Sequence, residues 1–320
     1  MLKNVDIKDN AFIVMLGLIT VNVFWGASSI AAKEALLQLN AIEIVALRFT
    51  IALLLVLGLA LLFKKKNVFA IEARDVPTFI LMSLANVSVG FILQVQALTC
   101  TTVTNFSLEF NLATFFIMLM GAAVLGERLT RKKVAGAAIA FAGAAIIITG
   151  GRLDFSSAHL LGDLMGIGSA ISFGLFTIAS KKVAGKYGLI TILVYTFLFG
   201  IAELLPFYVL FTPMTPPTSL SVLSWSSILF LAVLCTVFAF FVYTHGLNRL
   251  RASDVAMSIY VTPLAGIILA IVLLGESMTA YTVGGTVFIM AGMYLARGEL
   301  AVEKPERLPA RNEGRTARGE

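Results

Sequence analysis

Charged residues are scarce in this chain. Asp, Glu, Lys and Arg make up 13% of its 320 residues, and hydrophobic residues make up 59%. Ordinary soluble domains are about one-quarter charged and about half apolar. A soluble fold of this length cannot hide so much apolar surface, whereas a bilayer accepts it at about 20 apolar residues per span. The composition therefore excludes an ordinary soluble protein and predicts an all-α integral membrane protein.

Cysteine and histidine are nearly absent, with two of each. Cys100 and Cys235 give neither a disulfide framework nor a metal-ligand spacing, and we interpret them as packing residues. His159 and His245 stand alone, one in a loop and one near a helix end. The sequence has no Asp-rich metal motif, no cluster of His with carboxylates and no glycine-rich phosphate loop. We therefore expect no metal, no cofactor and no enzymatic activity.

Apolar runs separated by charged or turn-rich breaks divide the chain into ten segments. Each is predicted to be a helix, because a bilayer leaves the polar groups of a lipid-exposed loop unsatisfied. The predicted spans are 11–32, 41–63, 76–98, 103–125, 134–150, 163–180, 190–211, 225–246, 253–274 and 280–297.

Basic residues set the predicted orientation, since Lys and Arg concentrate in cytoplasmic loops. With the N-terminus inside, 21 of the 24 Lys and Arg residues fall on the cytoplasmic side. Lys33 and Arg152 fall outside, and Arg48 lies within a span. The net charge of +6, which in a soluble protein would suggest nucleic acid, here reflects topology. Both termini are therefore predicted to be cytoplasmic, and adding or removing one span would destroy the asymmetry.

The two halves of the chain read alike at an offset of 148 or 149 residues. Each half has an aromatic–glycine pair followed by a lysine, and later a Leu-Gly-Glu motif followed by a glycine. The matching residues are Trp25-Gly26 and Phe173-Gly174, Lys33 and Lys181, Leu125-Gly126-Glu127 and Leu274-Gly275-Glu276, and Gly136 and Gly285. Five spans in each half turn the second copy upside down, so the doubling predicts inverted repeats of the kind found in alternating-access transporters.

We therefore divide the chain into two five-helix repeats, 1–151 and 152–298, and a cytoplasmic tail, 299–320. The tail has many charges, two prolines and few apolar residues, a composition that predicts disorder. The first span contains part of the repeat, and its apolar stretch is too long for a signal peptide. We expect this span to be retained.

The order and doubling of the motifs resemble the EamA-type transporters of the drug/metabolite transporter superfamily, over residues 11–298. The residues that carry the resemblance are Trp25-Gly26-Ala27-Ser28, Lys33, Arg48, Ala97-Leu98, Leu125-Gly126-Glu127-Arg128-Leu129 and Gly136 in the first half, and Gly162-Asp163, Phe173-Gly174, Lys181, Gly246-Leu247, Pro263-Leu264, Leu274-Gly275-Glu276 and Gly284-Gly285 in the second.

This resemblance implies ten transmembrane helices in two inverted five-helix repeats. Helices 1–4 and 6–9 would surround a central cavity, with helices 5 and 10 outside. It also implies transport of small metabolites such as amino acids, often outward. The family usually has a proline in the middle of the fourth helix, where Pro263 lies in the ninth. This chain has Thr114 at the equivalent position, so a kink in its fourth helix needs another origin.

Three charged residues lie well inside predicted spans rather than at their ends, and there a charge is costly and points to function. Arg48, Glu109 and Glu203 each lie roughly 10–12 Å from the outer end of their helix. Glu109 is a candidate for binding a substrate amine or coupling to protons; the alternatives are an ion pair with Arg48 or exposure to an aqueous vestibule. Glu203 is the second proton-coupling candidate, unless it reaches the interface. Arg48 either binds a substrate carboxylate or locks helices together.

Polar residues line one face of the fourth span, where Thr104, Ser107, Asn111 and Thr114 align at about 100° per residue. We interpret this face as part of a polar cavity; hydrogen bonding between helices is the alternative. Trp25 offers an aromatic wall or a cation–π face for an amine, or simply packs in the core. The predicted substrate-binding residues are Trp25, Arg48, Asn86, Ser107, Glu109, Asn111, Thr114 and Tyr260.

Other motifs are predicted to be structural. Glu127 and Glu276 end spans, and we expect them to act as caps or ion pairs at the turn into the peripheral helices. A stripe of small residues on helix 6, Gly162, Gly166, Ala170 and Gly174, allows close packing between helices. The Ala- and Gly-rich run 136–145 in helix 5 is interpreted in the same way.

The leading functional hypothesis is a secondary transporter that exports small polar metabolites, such as amino acids, by alternating access. Its coupling is either proton antiport through Glu109 or facilitated exchange. The alternatives are an exchanger of phosphorylated sugars or nucleotide-sugars, which would need several buried Lys or Arg, an integral-membrane enzyme, or a channel. The expected partners are a small-molecule substrate and the lipid bilayer of the cytoplasmic membrane, with no nucleic acid, and the protein is expected to be a monomer.

Overall fold

The computed structural model describes residues 11–63, 68–100, 106, 109–149, 160–212, 215–274 and 280–296. These residues form helices joined by short turns. The helices are α1 (Ala11–Ala35), α2 (Ala41–Leu62), α3 (Ala73–Cys100), α4 (Glu109–Leu125), α5 (Arg131–Thr149), α6 (Leu160–Val183), α7 (Leu189–Phe211), α8 (Val222–Arg249), α9 (Ala252–Met257 and Val261–Leu274, joined by a 3₁₀ turn at Ser258–Tyr260) and α10 (Ala280–Ala296). The predicted tail, 299–320, lies outside the described residues.

Six of the described helices, α1, α2, α3, α6, α7 and α8, are long and apolar enough to cross a membrane. The apolar helix α4 and the segment Val283–Leu295 of α10 are shorter. Helix α5 begins with three basic residues, and α9 is interrupted by its 3₁₀ turn. The structure therefore establishes an all-helical protein with several apolar spans, while helix length and composition alone do not fix the count at ten.

Local sequence signals explain where several helices begin and end. Asn40 and Glu43 form a capping box at the start of α2, in which each side chain accepts a hydrogen bond from the backbone N–H of the other. Ser221 caps α8 by accepting from the N–H of Ser224 at 3.1 Å. Gly126 ends α4 in the left-handed conformation, with φ of 67°, which glycine adopts without steric cost. This position explains the glycine of the first Leu-Gly-Glu motif.

Two π-helical turns interrupt the long helices at equivalent places. Leu84–Gly90 forms one in α3 and Val233–Phe238 forms the other in α8. Their first residues are 149 positions apart, which is the offset of the sequence repeat. A π turn inserts a residue and disturbs the ladder of backbone hydrogen bonds, leaving carbonyls available to other donors.

Helices α4 and α9 also change their winding at equivalent positions. In α9 the change is the 3₁₀ turn Ser258–Tyr260. In α4 the N–H of Leu112 donates to the carbonyl of Glu109 at 3.0 Å, an i→i+3 bond of the 3₁₀ type. Residues 109 and 258 differ by 149 positions. The distortion of α4 therefore forms without the proline that the resemblance led us to look for.

Helices α5 and α10 pack backbone to backbone through equivalent glycines. A Cβ on Gly143 would lie 2.6 Å from the carbonyl oxygen of Gly285. A Cβ on Gly292 would fall against the carbonyl of Gly136 and lie 2.6 Å from the Ala140 nitrogen. Only glycine permits this approach. The interpretation of the small-residue run in helix 5 as a packing surface is confirmed.

Contacts along α8 show how α1 and α6 are oriented relative to it. From Leu18 and Trp25 of α1 to Gln38 just beyond its end, the contacts run backwards along α8, from Gly246 through Cys235 to its N-cap Ser221. The two helices are therefore antiparallel. The C-terminal end of α6 lies at the opposite end of α8 from that of α1, because Lys181 donates to the carbonyls of Leu247 and Leu250.

Candidate functional site

Arg48 of α2 is bound to the π turn of α8. The side chain is 3% exposed. Its Nε donates to Thr236 Oγ1 at 2.5 Å, and its Nη2 donates to the carbonyl of Cys235 at 3.1 Å. The guanidinium carbon lies 4.2 Å from the centre of the Phe91 ring, a cation–π arrangement. Among the described residues Arg48 makes no ion pair with Glu109, so its geometry agrees with the helix-locking alternative.

Trp25 of α1 shares an acceptor with Arg48. Its indole Nε1 donates to the carbonyl of Cys235 at 3.1 Å. That carbonyl accepts both donors because it lies in the π turn, where the helix ladder is disturbed. The Trp25 ring also packs within 5.5–6.0 Å of Phe173, Phe240 and Tyr243, measured between ring centres. Trp25 and Arg48, predicted separately, therefore meet at one carbonyl beside an aromatic cluster.

Glu109 lies at the distorted start of α4 and faces α6. Its side chain is 9% exposed, and its Oε2 has no hydrogen-bond partner. A Cβ on Gly166 of α6 would overlap that oxygen, so the glycine makes room for the carboxyl group. The side chain of Asp163, one turn earlier on α6, interacts with Glu109. Two adjacent carboxyl groups, one of them buried, favour a cation or a shared proton between them.

Glu203 of α7 is bound to α3. Ser83 Oγ donates to its Oε1 and Ser88 Oγ donates to its Oε2, each at 2.6 Å. Ser88 lies in the π turn of α3. The arrangement mirrors that of Arg48: an ionisable residue of α7 binds the π turn of α3, and one of α2 binds the π turn of α8. Glu203 is therefore bound by two serine hydroxyls of α3, whereas Glu109 lies against α6.

The polar face of α4 is buried. Asn111 is 2% exposed and Thr114 is 0% exposed. The Thr114 hydroxyl donates to the carbonyl of Ala256 on α9 at 3.2 Å, which agrees with hydrogen bonding between helices at this position. Ser107 and the neighbouring Thr104 lie outside the described residues.

Asn86 and Tyr260 occupy different surroundings. Asn86, in the π turn of α3, is 2% exposed, and its Nδ2 is among the buried atoms that have no hydrogen-bond partner. The hydroxyl of Tyr260 donates to the carbonyl of Ala137 on α5 at 3.0 Å. Its ring lies in a second apolar cluster, formed with Met118, Ala137, Ala140, Ala144, Met257 and Ile289. Asn86 thus keeps an unused donor, while the Tyr260 hydroxyl is engaged by a peripheral helix.

Glu127 is a structural cap. Its Oε1 accepts from the N–H of Ala252 at 2.7 Å, and its Oε2 accepts from the N–H of Ser253 at 3.2 Å. These are the unsatisfied first N–H groups of α9, and a carboxylate is favoured there. The cap predicted for Glu127 is confirmed, but it serves α9 rather than the start of α5. Glu276 lies outside the described residues.

A buried ion pair beside this cap was missed from the sequence. Lys133 Nζ lies 2.5 Å from Asp254 Oδ1, and both side chains are 1% exposed. Lys133 also donates to Ser253 Oγ at 2.9 Å. Lys133 was counted among the loop residues, and Asp254 sits at the edge of an apolar run, so neither carried a signal of burial. The pair joins α5 to the start of α9.

A polar connection between α1 and α9 was also missed. Asn22 is fully buried; its Nδ2 donates to Ser258 Oγ at 3.0 Å, and its Oδ1 accepts from Thr262 Oγ1 at 2.9 Å. A Cβ on Gly26 would lie 2.7 Å from the carbonyl oxygen of Thr262. The glycine of the Trp-Gly motif therefore lets α1 approach α9 closely. In the sequence, a single Asn within an apolar span was the signal that could have identified this contact.

Metal ligation has no geometric support in the part of the chain that is described, since no group of three His, Cys, Asp or Glu side chains converges there.

Comparisons with known proteins agree with this architecture. The family model described as "EamA-like transporter family" matches residues 12–149 and 160–298. An Archaeoglobus fulgidus protein named "Uncharacterized transporter" is 30% identical over 274 residues, which cover 85% of this chain and 93% of that protein. A Salmonella typhimurium protein named "Probable amino-acid metabolite efflux pump" is 27% identical over 303 residues, which cover 90% of this chain and 94% of that protein.

A solved structure, titled only "Crystal structure of protein", has the same fold. It aligns with a TM-score of 0.74 at 19% sequence identity, over 88% of this chain and 96% of that one. The family match spans most of the chain in two consecutive segments, and the resemblance stated from the motifs is confirmed. This chain belongs to the EamA-like transporter family and is a multi-pass membrane protein, a transporter rather than an enzyme.

Proposed function

We propose that this protein is a secondary transporter that exports small polar metabolites, amino acids or related solutes, by alternating access. In this proposal ten spans form two inverted five-helix repeats in the cytoplasmic membrane, and both termini are cytoplasmic. The distribution of basic residues supports the orientation. The matching offsets of the π turns, the α4 and α9 distortions and the α5–α10 glycines support the repeats.

The observation that carries the proposal is the carboxyl group of Glu109. It is buried at a helix distortion, one of its oxygens has no hydrogen-bond partner, and Asp163 lies beside it. An uncompensated acidic site of this kind attracts an ammonium group or a proton. In a transporter, either cargo fits: the amine of an amino acid, or the coupling proton.

The charge set favours a zwitterion over a dianion. Arg48 already has two hydrogen bonds and a cation–π contact, and Lys133 is paired with Asp254. A phosphorylated sugar needs several buried cations, and in the described residues these two are engaged by the protein itself. The amino-acid efflux name belongs to the Salmonella relative and is used here as support for the same substrate class.

Reconstitution into proteoliposomes tests the proposal. The purified chain is expected to give saturable flux of one or more amino acids, and Glu109→Gln is expected to abolish the effect of a pH gradient or to weaken substrate binding. Glu203→Gln tests the second proton-coupling candidate, whose carboxylate is already engaged by two serines. An effect of the pH gradient that is kept in Glu203→Gln and lost in Glu109→Gln assigns the coupling to Glu109. Equal flux in wild type and Glu109→Gln, with and without the gradient, would reject the role of Glu109.

Metabolite profiles of cells with and without overexpression test the substrate class without assuming it. Export of amino acids predicts that they accumulate in the medium of overexpressing cells. Depletion of phosphorylated sugars from the cells instead would reject amino acids as the substrate class. An ohmic single-channel conductance would reject the carrier mechanism in favour of a channel.

A further inference from the structure

Lys181 closes one end of the helix bundle. It lies in the last turn of α6, and its Nζ donates to the carbonyls of Leu247 and Leu250, both at 2.8 Å. These carbonyls belong to the C-terminal end of α8, where the last C=O groups lack partners within the helix and the helix dipole favours a cation. The lysine thereby holds the ends of α6 and α8 together.

Lys33 is the equivalent lysine in the first repeat, and it makes no such contact with any residue that the structure describes. The residues equivalent to Leu247 and Leu250 are Leu98, in α3, and residue 101, which lies outside the described residues. Lys33 is exposed. Together with Glu34, Leu98 and Thr99 it lines a crevice of about 460 Å³ between the ends of α1 and α3. A crevice therefore lies beside Lys33, whereas Lys181 bridges two helix ends at the equivalent place.

The two lysines lie at opposite ends of α8. Gln38, just beyond α1 and five residues from Lys33, accepts a hydrogen bond from the N–H of Ser221 at the start of α8. Lys181 binds the carbonyls at the end of the same helix. In the orientation proposed above, Lys33 is on the outer side and Lys181 on the cytoplasmic side.

A second pair of equivalent contacts is formed at both ends, so the asymmetry is not a general loosening of one end. At the cytoplasmic end, the hydroxyl of Tyr187 accepts from the N–H of Glu72 at 3.0 Å and donates to Asp75. At the outer end the corresponding contacts join Gln38 to Ser221 and Ser224, at 2.8 and 2.7 Å. Each of these residues differs from its counterpart by 149 positions.

We propose that Lys33 and Lys181 are the alternating gate residues of this carrier. When Lys181 binds the end of α8, the cytoplasmic side is closed and the outer side is open. In the opposite state Lys33 binds the end of α3 and Lys181 releases α8. The Gln38–Ser221 and Tyr187–Glu72 contacts persist in both states and act as hinges. This inference rests on the proposed alternating-access function.

The strength of the contact suits a switch. A lysine at a helix C-terminus contributes a modest free energy. Forming one lysine–helix contact while breaking its equivalent therefore changes the free energy of the protein little. Two states of nearly equal free energy can then be shifted by differential binding of a substrate. Residues that hold both states equally, such as the hinge pairs, do not affect this balance.

Cysteine accessibility measures the state directly. In the full chain with Cys100→Ser and Cys235→Ala, single reporters are placed at the equivalent positions Thr99→Cys, beside Lys33, and Asn248→Cys, beside the Lys181 contact with α8. In proteoliposomes, a thiol reagent that does not cross the membrane is applied to each side. Lys181→Gln is expected to raise labelling at position 248 and lower it at 99 by roughly two- to fivefold, the effect of one charge–dipole contact. Lys33→Gln is expected to change both in the opposite direction.

Matched variants separate gating from charge and from folding. Lys182→Gln removes the same charge from the exposed neighbour of Lys181 and is expected to label like wild type. Lys181→Arg keeps a donor at the helix end and is expected to restore the wild-type pattern. The gate proposal is rejected if Lys181→Gln is labelled like wild type or like Lys182→Gln. It is also rejected if Lys181→Gln and Lys33→Gln change the labelling in the same direction. If the gate proposal is rejected, saturable amino-acid flux into the same vesicles still supports the proposed carrier function. Absence of such flux in wild type rejects the carrier function.

Discussion

The rings of Trp25 and Phe173 stand perpendicular to each other with their centres 5.6 Å apart. They are equivalent residues of the two repeats, 148 positions apart in the chain. A residue can contact its own counterpart only near the axis that relates the two copies. The aromatic–glycine motifs therefore mark that axis, and the α5–α10 glycines meet across it in the same way.

Removing the guanidinium of Arg48 is expected to destabilise the protein. Arg48→Met removes the donor to Thr236 Oγ1 and one of the two donors to the Cys235 carbonyl, which keeps the Trp25 indole. A lost hydrogen bond to a charged group costs about 1.5–3 kcal/mol. A double-mutant cycle with Thr236→Val, measured by thermal unfolding in detergent, should give non-additive losses. Additive losses together with a selective rise in KM would instead assign Arg48 to substrate binding.

The space beside Glu109 is expected to be essential for transport. Gly166→Ala places a methyl group where Glu109 Oε2 now lies and forces the carboxyl group to move. Its neighbour Gly168 is the control, because a Cβ there would lie 3.1 Å from the flexible end of the Leu93 side chain. We expect flux to fall at least about tenfold in Gly166→Ala, as misplaced catalytic or binding groups do, and to stay near wild type in Gly168→Ala. Comparable flux in the two variants would contradict this role.

Breaking the buried ion pair is expected to be costly. Asp254→Asn leaves Lys133 as an uncompensated charge that is 1% exposed, and such losses amount to about 3–5 kcal/mol. The midpoint of thermal unfolding should fall strongly. Lys132→Met, at an exposed position next to Lys133, should leave it nearly unchanged. A small effect of Asp254→Asn would mean that Ser253 alone satisfies the lysine.

The ion pair between Glu72 and Lys186 is expected to weaken in acid. The hydrogen bond from Lys186 holds the pKa of Glu72 below its ordinary value of 4.5. A carboxyl group with a lowered pKa in the folded state adds stability above its ordinary pKa, and this contribution is lost as the pH falls through the folded-state pKa. Unfolding followed from about pH 7 to about pH 2 should show a steeper loss in wild type than in Lys186→Met.

The contact of Lys186 with Asp75 makes an opposite prediction in base. The hydrogen bond to Asp75 raises the pKa of Lys186 above its ordinary value of 10.5. Its contribution is therefore complete below that value and is lost only as the pH rises through the folded-state pKa. Lys182→Met is the control for the loss of one charge. If the stability of wild type and of Lys186→Met depended on pH in the same way in both acid and base, these contacts of Lys186 would not contribute as predicted.

Much of the site could be anticipated from residue type, but its partners could not. Arg48, Glu109 and Glu203 stood out because charge within an apolar run is costly. The sequence left open whether Arg48 pairs with Glu109; instead Arg48 binds a backbone carbonyl released by a π turn. No residue pattern in Val233–Phe238 predicts that π-helical turn. Backbone acceptors carry no sequence signature, so such contacts appear only when the chain is folded.

The sequence by itself determined the membrane environment, the doubling and the family, since these depend on composition and on spacing along the chain. The tertiary structure decided which equivalent contacts are formed. Lys33 and Lys181 occupy matching positions in two similar halves, yet one binds a helix end and the other faces a crevice. The sequence repeat is the same however the helices pack. Only a particular packing of the helices makes the two equivalent positions differ, because it brings a helix end within reach of one lysine and not of the other.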